Sequence, residues 1–138
     1  MSRELMDNLY KFLSDLSKRE EELDFTIINY FAREIENRGI KPSEIKRESL
    51  RDDVKALSDG DYMLTVIYYE DKDEVDIILP KNYADASAIE QLLIRMKYFK
   101  LKSEKKVKGY LLALAIPEKY VRIARNEGIE VIVDQILK

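Results

Sequence analysis

The sequence contains no cysteine, no histidine and no tryptophan. The first absence excludes disulfides, thiolate nucleophiles and zinc–thiolate sites, and the second removes imidazole ligands and imidazole acid–base catalysis. Any chemistry therefore falls to Asp, Glu, Lys, Tyr or hydroxyl groups. No apolar run approaches the roughly 18 residues that a membrane helix needs. The opening MSRELMDNLY is amphipathic and mixed in charge, unlike a basic-then-apolar signal segment. A cytoplasmic protein with no membrane contact is expected. No Gly/Ser linker, repeat or low-complexity stretch divides the 138 residues, so the chain reads as a single domain, 1–138, able to bury its own core.

What is abundant is charge. Charged residues make up 37% of the chain and glutamine is scarce, a composition that fits a hyperthermophile. The net charge of −3 conceals a split. Residues 52–76 hold nine acids against Lys55 and Lys72, whereas residues 95–125 hold ten Lys/Arg against Glu104 and Glu118. Such a separation marks either a nucleic-acid face or two solvated surfaces.

In residues 3–16, Leu5, Met6, Leu9, Tyr10, Phe12, Leu13 and Leu16 paint one broad apolar stripe on a helix. That stripe covers either the domain's own sheet or a second copy in a homodimer. Ser17 and Glu20 fit a capping box for a second helix that stops at Asn37-Arg38-Gly39. Pro42 fits the first turn of a short helix over 42–47, and Ser49 with Asp52 fits the cap of another through Leu57, ahead of a Ser58-Asp59-Gly60 turn. Residues 1–57 are thus expected to be helical.

Residues 58–138 follow a different grammar. The run YMLTVIYY at 62–69 and its return at 74–79, across the polar turn 70–73, predict a β-hairpin stopped by Pro80. The stretch VDIILPKNYADASA at 75–88 then joins strand to helix, placing Lys81, Asn82, Tyr83 and Asp85 on a loop of the kind that carries chemistry. The helix spans about 87–101, capped by Ser87 with Glu90 or by Asp85. A strand over 107–116, a helix from Pro117 to Gly128 and a strand over 129–133 complete a β-β-α-β-α-β order with parallel crossovers. Most of the nine tyrosines fall on strands or helix stripes, as core rather than stacking platforms.

This order, with ADASAIEQLLIRMKYF followed by KGYLLALAIPEKYVRIARNEGIEVIV, resembles the archaeal and RecB-like branch of the PD-(D/E)XK, or restriction-endonuclease-like, nuclease superfamily. The likeness covers residues 62–133. It rests on Gln91 early in the helix, the aromatic pair Tyr98-Phe99, and the closing strand, helix and Gly-Ile-Glu-Val strand. It implies an α/β fold: a mixed central sheet flanked by helices and preceded by N-terminal helices. It also implies Mg²⁺ or Mn²⁺ held by an acid on one strand and an acid two residues before a Lys on the next, preparing a water to attack phosphorus.

The sequence departs from that pattern. Counting back from ADASAIEQ puts Ile78 and Pro80 at the acid-x-Lys positions, or Leu79 opposite Lys81, and the first-strand acid falls near Val66. The resemblance therefore implies a catalytically inactive nuclease-like domain with a nucleic-acid-binding or assembly role and no cofactor. Its candidate nucleic-acid surface is Lys97, Lys100, Lys102, Lys105, Lys106 and Lys108. An alternative keeps a metal-dependent nuclease with a displaced site, in which Asp76 and Glu90 hold the metal, Lys81 orients the water and Gln91 assists. The plainer reading of these residues is an outward strand acid, a loop charge, a capping partner and a surface amide. A third alternative, a winged helix with residues 50–57 in the major groove, would set Asp52, Asp53 and the acidic tip EDKDE against a polyanion. The last is a protein-interaction subunit.

Overall fold

The computed structural model describes residues 2–57 and 62–138, so the expected 58–60 turn lies outside the described residues. The chain is α/β: helices flank a mixed sheet whose five strands, among the described residues, run β1-β2-β3-β4-β5 across the sheet as they do along the chain. β1 (Lys46–Arg51), β2 (Met63–Glu70) and β3 (Glu74–Tyr83) form an antiparallel meander. β4 (Lys106–Pro117) and β5 (Ile129–Leu137) then add in parallel.

Helices cover both faces. On one, α1 (Arg3–Tyr30) and α2 (Ala32–Glu36) set Ile27, Ile28, Phe31 and Ile35 against Ile67, Ile78, Tyr110, Leu112 and Ile132. On the other, α3 (Ala86–Lys102) and α4 (Glu118–Asn126) set Leu92, Met96, Phe99, Val121 and Ala124 against Val66, Ile77, Leu111 and Val131. The near-continuous apolar strands β3 and β4 follow from this two-sided burial. Gly109 lets α3 lie close, because a Cβ there would run into the Met96 sulfur. Gly128, at φ +81°, ends α4 in the left-handed region.

Several expectations are corrected. No break occurs at Ser17: α1 is one helix, N-capped by the Ser2 hydroxyl, which accepts from the Leu5 N–H at 3.1 Å. A Ser-x-x-Glu spacing starts a helix only where the preceding turn is not already helical, and nothing between Arg3 and Glu20 interrupts it. The short helix after Pro42 is a single 3₁₀ turn, Pro42–Glu44. The expected helix over 50–57 is instead the end of β1 followed by a loop, so the recognition element that a winged helix needs is not formed by those residues. Asp52 does cap, but it caps a turn: its buried carboxylate accepts from the Ala56 and Leu57 N–H groups, both at 2.8 Å.

At α3 the cap is Asp85, accepting from the Ser87 and Ala88 N–H groups at 3.0 and 3.3 Å. Ser87 instead accepts from the Gln91 side-chain amide at 3.0 Å.

Candidate functional site

Pro80 does not end β3. The strand runs on to Tyr83, pairing Lys81 with Ala113 and Tyr83 with Ala115 of β4. What ends there is the contact with β2, whose last pair is Ile67 with Ile78. Continued by two residues, that register sets Pro80 against Thr65, and a proline has no N–H to offer a neighbouring strand. β2 carries on beside β1, with Leu64 opposite Leu50, while β3 carries on beside β4. The sheet therefore splits at Pro80.

A cleft of about 360 Å³ fills the split, lined by Glu20 and Asp24 of α1, Arg47 of β1, Thr65 and Ile67 of β2, Ile78 to Lys81 of β3, and Gln91 and Arg95 of α3. Glu20 and Asp24 lie one helical turn apart and so share a face of α1. Arg47 Nε donates to Asp24 Oδ2 at 3.2 Å. Burial pushes the Asp24 carboxyl above its ordinary range, and the Arg47 hydrogen bond and the Lys81 charge pull it back. Arg95, half-buried, gives Nε to the Thr65 carbonyl at 2.8 Å and Nη1 to the Gln91 carbonyl at 2.9 Å. Its desolvation lowers the guanidinium pKa. The cleft thus gathers three cations and two carboxylates from four elements, with β2 as the remaining wall.

Of the residues singled out from sequence, Lys81 and Gln91 meet here. Asp76 does not: it lies five residues before Lys81 on β3, about 16 Å away at the rise of a strand. Glu90 is exposed on α3 and is absent from the cleft lining. The displaced set Asp76, Lys81 and Glu90 therefore has no common centre. Leu79 borders the cleft and Val66 is fully buried in the core, so the positions where the resemblance would call for an acid hold apolar side chains.

A hard divalent cation asks for several oxygen ligands. The cleft offers two carboxylates, one already paired with Arg47, and the described residues hold no group of three Asp or Glu fit to bind a metal. That donor set does not fit the Mg²⁺ or Mn²⁺ that the nuclease resemblance implies.

The basic segment also changes character in the fold. Lys102 bonds Asp53, Lys105 reaches Glu70 at 3.1 Å and the Asp71 carbonyl at 2.7 Å, and Lys108 lies 4.0 Å from Glu74. Half of the six lysines thus face acidic partners, mostly on the β2–β3 hairpin; Lys97, Lys100 and Lys106 are exposed. The charge split along the chain closes on itself.

Glu20, Asp24, Arg47 and Arg95 were not anticipated as a site. The four-residue spacing of Glu20 and Asp24 on α1 was a usable signal. Nothing in the sequence tied it to Arg47 or Arg95.

No family model, curated protein or solved structure matches the chain. No helix among the described residues is long and apolar enough to cross a membrane.

Proposed function

We propose that this chain is a restriction-endonuclease-like domain that holds a nucleic-acid backbone in the β2–β3 cleft without hydrolysing it. The observation that carries this reading is the convergence of Lys81, Arg95 and Arg47 at the split in the sheet, with Leu79 and Val66 where catalytic carboxylates would stand. The element order of the N-terminal helices α1 and α2, a three-stranded meander, a crossover helix and a parallel strand, followed by α4 and β5, supports the fold kinship. Phosphate oxygens suit such a site, because ammonium and guanidinium groups neutralise charge without reading bases.

The test is fluorescence anisotropy with labelled single-stranded, duplex and branched DNA and with RNA, followed by incubation of each with Mg²⁺ or Mn²⁺. Salt-sensitive binding with Kd on the order of 10–100 μM, weakened in Lys81→Ala and with no product on a gel, is expected. Binding that ignores Lys81→Ala removes the cleft from the function. Metal-dependent cleavage lost in the same variant overturns the non-hydrolytic reading.

A further inference from the structure

From Arg3 to Leu23 no residue of α1 is buried, although this stretch carries much of the helix's apolar surface. Leu5, Leu9, Phe12, Leu13 and Leu16 are 42–62% exposed. Only the last turns, with Ile27 and Ile28, enter the core. With Tyr10 at 65% exposure, the stripe leaves roughly 600 Å² of apolar surface in water, the top of the range for the largest patch on a typical monomer, where such patches are often functional. We infer that this arm of α1 pairs antiparallel with the same arm of a second copy.

Three features select that occupant. Residues 3–24 carry four cations against seven carboxylates, which disfavours an anionic lipid surface or a nucleic acid. Leu9, Leu16 and Leu23 recur every seven residues, with Met6 and Leu13 in the intervening core positions, which is the seam of a helix pair. Two such arms together can remove up to roughly 1,200 Å², which reaches the roughly 1,000 Å² that a specific interface needs. The helix is already anchored by its C-terminal turns, so pairing does not have to nucleate it.

Charge chooses the direction. In a parallel pair Glu20, at a core position, would face its own copy, and the two domains would crowd at one end. In an antiparallel pair centred near Lys11, Leu9 meets the second copy's Leu13, Met6 meets its Leu16, and Arg3 comes beside its Glu20, twice by symmetry. The domains then lie at opposite ends.

Sedimentation equilibrium of the full chain tests this. A dimer is expected, with Leu9→Asp/Leu13→Asp monomeric and its circular dichroism melt retained, since neither side chain touches the core. Arg3→Glu or Glu20→Arg alone is expected to weaken the dimer about fivefold, and the double reversal to restore it. A wild type still monomeric at roughly 1 mM, where even a weak pair would form, overturns the inference. So does a dimer that survives Leu9→Asp/Leu13→Asp. Failure of the double reversal to restore affinity overturns the antiparallel register. None of these readouts involves nucleic acid.

Discussion

Arg95 Nε donates to the Thr65 carbonyl at 2.8 Å across thirty residues of sequence, opposite the point where Pro80 ends the ladder between β2 and β3. The guanidinium ties α3 to the free flank of β2, and its second bond to the Gln91 carbonyl fixes it to its own helix. One side chain therefore holds open the cleft that Pro80 creates. The same group supplies part of the positive charge inside it.

Arg95→Met keeps the aliphatic stem and deletes both donors. It leaves the Thr65 carbonyl part-buried and unpaired, so stability is expected to fall by about 2 kcal/mol, read as a lower urea midpoint at unchanged slope. An unchanged midpoint would show that water replaces the guanidinium at no cost.

Asp24 draws Arg47 away from any ligand. Asp24→Asn removes one negative charge from the cleft and frees that guanidinium. Polyanion binding in the anisotropy assay is expected to tighten roughly threefold to tenfold at low salt. The stability cost is expected to stay below about 1 kcal/mol, because the ion pair is only part-buried. Weaker binding in Asp24→Asn would mean that the carboxylate itself contacts the ligand.

The loop after β1 depends on Asp52, which is fully buried and accepts two backbone N–H groups. Asp52→Ala strands both donors and is expected to cost about 2–3 kcal/mol, measured by thermal or urea melting. Within that loop Lys55 has φ of 58°, a left-handed conformation that costs an L-residue energy. Lys55→Gly is accordingly expected to be neutral or stabilising by up to about 0.5 kcal/mol.

Why β1 escaped a reading from sequence is clear from its residues. Lys46, Arg47, Glu48 and Arg51 make an edge strand whose charges discourage pairing with another chain, and such a strand carries no apolar alternation. The inner strands of the sheet were legible for the opposite reason. Residues such as Ile77, Leu111 and Val131 are covered by helices on one face while Ile78, Leu112 and Ile132 are covered on the other, leaving unbroken Ile/Val/Leu runs. Pro117 and Gly128 framed α4. The cleft was only half legible: Lys81 and Gln91 stood beside the informative strand-to-helix joint, but Glu20 looked like a capping partner of Ser17 and Arg95 like one basic residue among ten. A site walled by five elements has no sequence spacing.

Asp76 offers the sharpest pH dependence. It is 3% exposed on β3, and its Oδ1 has no hydrogen-bond partner. Burial first, then the hydrogen bond and charge of Glu74, push its pKa up to about 8; Lys108 opposes the shift and Asp71 adds to it. In the unfolded chain the same carboxyl titrates near 3.9. Between those values the native state keeps a proton that the unfolded state has lost, so stability falls as pH rises from about 4 to about 8 and levels off above. Asp76→Asn mimics the protonated form at every pH. It is expected to match the wild type near pH 4, to exceed it by roughly 5 kcal/mol at pH 8, and to flatten the slope between, as measured by urea midpoints across the range. The neighbouring Tyr110 hydroxyl, held up by burial and by the Asp76 charge, should titrate lower in the same variant, and ultraviolet difference spectra at alkaline pH would register it. Parallel pH profiles for wild type and Asp76→Asn would instead mean that Glu74 or another acid carries the proton.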